Sequence, residues 1–276
     1  MIATNAYPWM TYCNRAGRPF DEAARREAMR DTAAAGIEAW EDFATDVAAV
    51  RSAARLAREA CLATPSFYAN VPLHRDDADE QVATFAEVAE VAANEAGADA
   101  LVVNAEPIDW AKPLDKDDAQ LARQADALAE LHEHCGAAGV EVLYHFHTPE
   151  LRRAAREALR MLAAVPAMRL CLDPDWIFRG SGNSVAAVEA WLGLFGGRVG
   201  MVHLRQNVGG QWAQVFALEG DVDFAGVAKA LRAAGFAGRV VLEQAVEPET
   251  PLEFDVAEAH RRSLLAARDF ARAATA

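Results

Sequence analysis

The sequence predicts a single (β/α)8 barrel domain that spans residues 1–276. Short apolar runs alternate with long Ala-rich amphipathic segments, and this alternation indicates a parallel sheet with helices outside it. Eight such repeats fit a chain of 276 residues, because barrels of this kind take about 250 residues. The main alternative is an open doubly wound sheet, but no G-x-G-x-x-G motif follows the first apolar run.

The eight apolar runs are the predicted strands of the barrel. They are Ile2–Ala6, Gly36–Trp40, Cys61–Phe67, Ala100–Asn104, Val140–His145, Arg169–Leu172, Val199–Leu204 and Arg239–Glu243. The segments between them have clear helix ends, because acidic residues suit the first turn and glycine often follows the last. Four predicted helices are the clearest. One begins at Asp21 and stops at Gly36, and the other three span Asp77–Ala96, Asp117–Ala138 and Asp223–Ala234, each followed by glycine.

Composition and charge exclude several classes of partner. The net charge is −14, and no Lys/Arg cluster interleaved with aromatic residues offers nucleic acid a basic surface. The first residues, MIATNAYPWM, lack the features of a secretory signal, and no run of about eighteen apolar residues suggests a membrane span. The four scattered cysteines fit reduced thiols. We expect a cytoplasmic protein with a small-molecule substrate, and its oligomeric state, homo-oligomers included, stays open.

Polar side chains collect where the predicted strands end. Catalytic residues of (β/α)8 barrels lie at the C-terminal ends of the strands, so one shared site explains residues that are distant in sequence. These residues are Asn5, Tyr7 and Trp9 after the first strand, Glu38 and Glu41 after the second, Asn104 and Glu106 after the fourth, His145, His147 and Glu150 after the fifth, Asp173 after the sixth, His203 and Arg205 after the seventh, and Glu243 after the eighth.

Period-two geometry supports a shared site for several of them. His203 and Arg205 lie on one face of their strand, and His145 and His147 on one face of theirs. Glu243 ends the apolar run VVLE, where a carboxylate is costly unless it is paired or bound to a cation. Structural roles remain open for some residues, since Asp173 in DPD can form a turn and His203 can be a hydrogen-bonded core histidine.

The octet YHFHTPEL, residues 144–151, has the highest density of such groups. His145, His147 and Glu150 fall within six residues at a strand end. A purely structural interpretation is also open, because Thr148, Pro149 and Glu150 suit the first turn of a helix.

Four of the strand-end residues form a candidate metal site. Glu150, Asp173, His203 and Glu243 would supply three carboxylates and one imidazole. Such oxygen-rich ligation suits Mn²⁺, the ion that we expect, or Mg²⁺, with Co²⁺ and Zn²⁺ as alternatives. The absence of cysteine from the set argues against a closed structural zinc site.

Five motifs in order give the chain a resemblance to the sugar phosphate isomerase/epimerase superfamily, whose barrel is xylose isomerase-like. YHFHTPEL resembles the Y-H-N-H-x-x-E-F signature of one branch, with Phe146 in place of Asn. The other four motifs are LCLDPDW (170–176), MVHLRQ (201–206), LEGDVDF (218–224) and VVLEQ (240–244). The chain departs from the pattern at Trp176, where epimerase-like members have histidine, and at Arg205 and Gln206, which replace Lys-Asp.

The resemblance implies a divalent metal held by Glu150, Asp173, His203 and Glu243. It also implies that Glu150 and Glu243 act as acid and base on the two faces of a substrate carbon next to a carbonyl. The activity that we expect is therefore isomerisation or epimerisation of a small sugar, keto-sugar or hydroxy-keto acid. The residues expected to contact substrate are His145, His147, Trp176, Arg205, Glu106, Tyr7 and Trp9.

Other functions stay open from sequence alone. A lyase of the inosose dehydratase or keto-glycoside-cleaving type would share the first proton abstraction and then release a hydroxyl or aglycone. A metal hydrolase is less favoured, because its H-x-H motif normally follows the first strand and not the fifth. A non-catalytic barrel that binds sugar or metal is a further alternative, for which Trp176 is the warning sign.

Overall fold

Eight parallel strands close into a barrel in the computed structural model, which describes residues 1–275. The order around the ring is β1-β10-β7-β6-β5-β4-β3-β2. The strands are β1 (Ile2–Asn5), β2 (Ala39–Phe43), β3 (Ser66–Val71), β4 (Ala100–Ala105), β5 (Glu141–His145), β6 (Arg169–Leu172), β7 (Val199–Leu204) and β10 (Arg239–Leu242), with a short antiparallel hairpin of β8 (Asn207–Val208) and β9 (Gln211–Trp212) after β7. The predicted (β/α)8 fold is confirmed.

Helices connect the strands and form the outer layer. They are α1 (Ala6–Arg15), α2 (Glu22–Ala34), α3 (Val47–Glu59), α4 (Ala78–Val91), α5 (Asp118–Ala137), α6 (Thr148–Ala164), α7 (Pro174–Gly180), α8 (Val185–Phe195), α9 (Phe224–Ala233) and α10 (Val256–Thr275). The predicted acidic starts are confirmed at Asp21, Asp117 and Asp223, whose side chains accept backbone N–H groups of the first turn. After α4, a π-helical turn (Ala92–Ala96) leads to Gly97, which adopts a left-handed φ of 70°. No helix among residues 1–275 is long and apolar enough to cross a membrane.

Two strands lie further along the chain than the sequence predicts. β2 is Ala39–Phe43 and not Gly36–Trp40, because Glu41 and Asp42 are fully buried inside the fold and do not mark a strand end. Hydrogen bonds from Asn5 and Ser66 to Glu41, and from Trp40 to Asp42, stabilise these carboxylates. β3 is Ser66–Val71 and not Cys61–Phe67, since Cys61 has a left-handed φ of 58° that an extended strand cannot contain.

The barrel interior is filled in two layers. Small and apolar side chains form the lower layer, and one polar side chain lies two residues further along each strand, on the same face. These pairs are Ala3 and Asn5, Ala39 and Glu41, Tyr68 and Asn70, Val102 and Asn104, Leu143 and His145, Cys171 and Asp173, Met201 and His203, and Val241 and Glu243. The strand period therefore places polar groups of all eight strands at the C-terminal end of the barrel.

His260 makes the stability of the fold depend on pH. Its ring, on α10, is 3% exposed and stacks on Trp9 of α1 with 4.3 Å between ring centroids. Burial lowers the pKa of His260 to about 4. An unfolded histidine titrates near pH 6.5, so between about pH 6.5 and pH 4 the unfolded chain binds a proton that the folded chain does not. The stability that the neutral, buried His260 contributes to the fold is thus fully present above about pH 6.5 and decreases as the pH falls.

Urea unfolding at pH 7.5 and pH 5 measures this contribution. We expect the free energy of unfolding to fall by about 2 kcal/mol more in the wild type than in His260→Phe over this interval. His134→Gln, which removes a half-exposed imidazole, is the control and should follow the wild type. Equal pH dependence in wild type and His260→Phe would contradict the assignment.

Candidate active site

A cavity of about 320 Å³ opens at the C-terminal end of the barrel, above the polar layer. Its walls contain the aromatic residues Tyr7, Phe43, Tyr68, Trp110 and Trp176, and its polar lining consists of Asn70, His147, Arg205 and Glu243. A larger cavity of about 650 Å³ lies outside the barrel between α8 and α9. None of the residues that line the larger cavity ends a barrel strand, so the smaller cavity is the candidate site.

His203 lies between two carboxylates beneath this cavity. Its Nδ1 is 2.9 Å from Oε2 of Glu243, and its Nε2 is 2.9 Å from Oε1 of Glu41. Burial alone would lower the pKa of His203, but negatively charged neighbours, Glu41 and Glu243 among them, raise it well above its usual value. Nδ1 donates a hydrogen bond to Glu243, whereas Nε2 faces Glu41 outside hydrogen-bond geometry, and the two carboxylates together favour the protonated, cationic imidazole.

Arg205 joins two of the predicted metal ligands. One terminal nitrogen of its guanidinium lies 3.0 Å from Oδ2 of Asp173 and 2.7 Å from Oε2 of Glu243. Burial would raise the pKa of Glu243, but Arg205 and His203 hold it well below its usual range. Burial, with the nearby charges of Asp175 and Glu243, raises the pKa of Asp173 to about 7 despite Arg205. Asp173 also accepts the backbone N–H of Asp175 through its other oxygen, so it caps α7 as well.

Glu150 lies next to the cavity and not in its lining. Its carboxylate accepts hydrogen bonds from the backbone N–H of His147 at 2.9 Å and from the side chain of Asn104 at 3.1 Å. Burial, with the charge of Glu157, raises the pKa of Glu150 to about 7. Helix α6 begins at Thr148, so Thr148, Pro149 and Glu150 form its first turn. The motif therefore starts a helix and also lies beside the cavity.

Two histidines of the octet keep free ring nitrogens near the site. Burial lowers the pKa of His145 to about 3, so its ring is neutral. Its Nδ1 donates a hydrogen bond to the carbonyl oxygen of Cys171 at 3.1 Å. Its Nε2 has no hydrogen-bond partner within residues 1–275. His147 lines the cavity, where its Nε2 is 3.4 Å from the hydroxyl of Tyr68 and its Nδ1 is unpartnered among the described residues.

The structure brings most of the predicted site residues to one place. Seven meet at or directly beneath the cavity, namely Tyr7, His145, His147, Trp176, His203, Arg205 and Glu243, while Asp173 contacts Arg205 and Glu150 contacts His147. Trp9 and Glu106 lie elsewhere. Trp9 packs on His260 and near Trp40, and Glu106 forms an ion pair with Arg75 at 3.0 Å.

Two buried acids at the site have no role assigned from the sequence. Glu41, which the sequence places among the strand-end residues without a role, has no exposed surface and lies 2.9 Å from His203. Asp175 accepts a hydrogen bond at 2.9 Å from the indole N–H of Trp212 and thereby ties the β8–β9 hairpin to α7. No local pattern in the sequence distinguishes Asp175 from an ordinary residue in a helix's first turn.

Two of the four predicted metal ligands, Asp173 and Glu243, offer carboxylate oxygens of the kind that divalent cations bind, while Glu150 contacts Asn104 and His147 instead. Carboxylate oxygens of Asp173 and Glu243 converge on one point, and Nδ1 of His203 contacts the same Glu243 oxygen. The convergent point is held by the terminal nitrogen of Arg205. A second group of possible ligand atoms, from His145, Cys171 and His203, lies within 4.8 Å in the barrel interior.

The molecule is a (β/α)8 barrel with buried carboxylates, histidines and an arginine at the C-terminal ends of its strands. Enzymes with this fold have their active sites at these ends. A family model described as xylose isomerase-like TIM barrel matches residues 28–267. The chain therefore belongs to the family of xylose isomerase-like TIM barrels.

Solved structures with the same architecture include several sugar epimerases. A D-allulose 3-epimerase from Methylomonas sp., in complex with D-allulose, is similar with a TM-score of 0.71 and 18% identity over 97% of this chain and 96% of that one. A 3-keto-D-glucoside 4-epimerase from E. coli is similar with a TM-score of 0.65 and 19% identity, over 97% and 98%. A sugar phosphate isomerase/epimerase from Parabacteroides distasonis gives 0.69 and 16%, over 98% and 94%. At these identities the likeness establishes the shared fold, and no curated protein matches the chain.

Proposed function

We propose that the protein is an isomerase or epimerase of a small sugar, keto-sugar or hydroxy-keto acid that moves a proton to and from a carbon next to a carbonyl. The observation that carries this proposal is the Glu243 carboxylate, which lines the cavity between Arg205 and the aromatic wall. The names of the structurally similar epimerases support the same class of substrate.

The cavity walls suit a carbohydrate. Aromatic faces of Tyr7, Trp110 and Trp176 can pack against the apolar face of a sugar ring. The unpartnered Nδ1 of His147 and the side chain of Asn70 offer hydrogen bonds to its hydroxyl groups. Arg205 and Glu243 complete the polar side of the cavity, and His145 lies beneath it.

The residues that we propose as ligands of a divalent ion, with Mn²⁺ as the expected one, are Glu150, Asp173, His203 and Glu243. When bound, such an ion would stabilise negative charge on the carbonyl oxygen of the substrate, an effect worth several kcal/mol. The Glu41 carboxylate lies 2.9 Å from Nε2 of His203, and we propose that this charge contact keeps Nδ1 of the ring directed toward Glu243.

The proton-transfer roles follow from position. Glu243 faces the cavity and is proposed to take and return the proton at a substrate carbon. Glu150, on the side of His147, is proposed as the second acid or base. Return of the proton to the opposite face of the same carbon gives an epimer, and its return to the adjacent carbon gives an aldose–ketose shift.

Solvent exchange tests the proposal. D-allulose, L-ribulose and a 3-keto-glucoside are incubated with enzyme and Mn²⁺ in D₂O, and the carbon next to the carbonyl is followed by NMR. We expect deuterium at this carbon in recovered substrate or product, and none with Glu243→Gln. Glu95→Gln, on the outer surface in an ion pair with Arg51, is the matched control and should behave as wild type.

Other outcomes of this experiment would contradict the proposal in defined ways. Deuterium incorporation with loss of a hydroxyl or aglycone indicates a lyase. Conversion without deuterium indicates a hydride shift, in which Glu243 transfers no proton. Absence of both conversion and exchange for every sugar, with metal bound, indicates a binding protein.

A further inference from the structure

We propose that Arg205 is a built-in cation that holds the place of the divalent metal between Asp173 and Glu243 and competes with the metal for these two carboxylates. This inference rests on the metal site of the proposed function. The sequence predicts only a substrate contact for Arg205.

The geometry of one nitrogen atom is the first argument. The terminal nitrogen of Arg205 contacts Oδ2 of Asp173 at 3.0 Å and Oε2 of Glu243 at 2.7 Å, and the same Glu243 oxygen contacts Nδ1 of His203 at 2.9 Å. Oxygens of two proposed metal ligands thus share a single positively charged group, and the third proposed ligand, His203, contacts one of these oxygens. A divalent ion bound between these two oxygens would lie close to the guanidinium cation, so repulsion between the two positive charges makes the metal and Arg205 compete for this position.

The guanidinium is fixed in place by its surroundings. Arg205 is 1% exposed, and its guanidinium carbon lies 4.8 Å from the ring centroid of Trp176 and 4.5 Å from that of Trp212. The indole N–H of Trp212 is itself held by Asp175 at 2.9 Å. An arginine packed between two tryptophans is a component of the site and not a surface side chain that folds inward.

The remaining donors of Arg205 point to a second partner. Nε and the other terminal nitrogen are buried and have no hydrogen-bond partner among the described residues. A buried guanidinium normally satisfies these donors, so they are available for a ligand's oxygens. Because Arg205 lines the cavity, a guanidinium displaced from the carboxylates would meet substrate hydroxyl or carbonyl oxygens there.

Local charge explains why the position must be filled. Glu41, Asp173, Asp175 and Glu243 are all buried, and without Arg205 the cations in contact with them would be His203 and, at 3.4 Å from Asp175, Arg179. Buried carboxylates without compensation are strongly destabilising. Arg205 therefore stabilises the metal-free protein and at the same time weakens its affinity for the metal.

Calorimetric titration of the purified protein with Mn²⁺ alone, after treatment with a chelator, tests the inference. We expect Arg205→Gln to bind Mn²⁺ at least tenfold more tightly than the wild type, and its melting temperature to rise more on addition of Mn²⁺. Arg205→Met keeps an apolar stem between the tryptophans and is the second variant, in case Arg205→Gln folds poorly. Arg51→Gln makes the same change in net charge on the outer surface and should bind as wild type.

Two results would overturn the inference. Equal or weaker Mn²⁺ binding by both Arg205 variants would show that Arg205 does not compete, while the metal site itself would stand. No Mn²⁺ binding by the wild type or by either folded variant would remove the metal site, and the competition with it.

Discussion

Replacing Glu243 by Gln is expected to lower kcat about a thousandfold, within the range that general acid–base catalysis contributes. The amide has nearly the shape of the carboxylate and can still accept one hydrogen bond from Arg205 or His203, but it cannot take a proton from carbon. Substrate should still bind, since the aromatic wall of the cavity is unchanged. The expected pattern is therefore a large loss in kcat with a smaller change in KM.

Steady-state kinetics on whichever sugar undergoes solvent exchange measures this effect. Glu95→Gln controls for the loss of one surface carboxylate, and thermal unfolding shows whether Glu243→Gln is folded. A kcat within tenfold of the wild type, in a folded variant that still binds Mn²⁺, would show that Glu243 does not transfer the proton.

The barrel and most of its polar layer could be predicted because both follow from local periodicity. Alternation along a strand determines which face each side chain occupies, so Val241 and Glu243, or Met201 and His203, had to lie on one face. The C-terminal ends of parallel strands then bring His203 and Glu243 to within 2.9 Å, although 40 residues separate them.

Other features depend on tertiary contacts that no local pattern encodes. The sequence pattern ends β2 too early, because Glu41 and Asp42 are charged and their hydrogen bonds with Asn5, Ser66 and Trp40 exist only in the closed barrel. The sequence also predicts that Trp9 contacts the substrate. Trp9 lies in α1, which begins directly after β1, and its ring packs on His260 near the other end of the chain.

The position of Arg205 shows the same limit at the site itself. The strand pattern places it on the face of His203, and this agrees with the structure. Whether its guanidinium contacts a substrate or an acid depends on Asp173 and Glu243, from two other strands, and on Trp212 in the hairpin. The metal ligands and substrate contacts remain predictions, and the titration with Mn²⁺ addresses them directly.

Glu41 is a buried acid on which the architecture of the site depends. It has no exposed surface and receives hydrogen bonds from Asn5 at 2.7 Å and Ser66 at 2.6 Å, besides its contact with His203. Asn5, Ser66 and His203 come from β1, β3 and β7, so one carboxylate joins four strands of the ring. Burial would raise the pKa of Glu41, but His203 and these hydrogen bonds lower it, so the group is ionised.

We expect Glu41→Ala to lower the free energy of unfolding by about 3–5 kcal/mol, because removing one partner of a buried ion pair leaves the other charge uncompensated. Urea unfolding at pH 7.5 measures this loss. Glu41→Gln keeps an acceptor for one of the two donors, Asn5 or Ser66, and should lose less. Glu95→Ala, which breaks an exposed pair, should lose at most about 1 kcal/mol. A double-mutant cycle with His203→Gln separates the ion pair from the hydrogen bonds. If Glu41→Ala lost no more than Glu95→Ala, the carboxylate would not hold His203 in place, and its orienting role would be wrong.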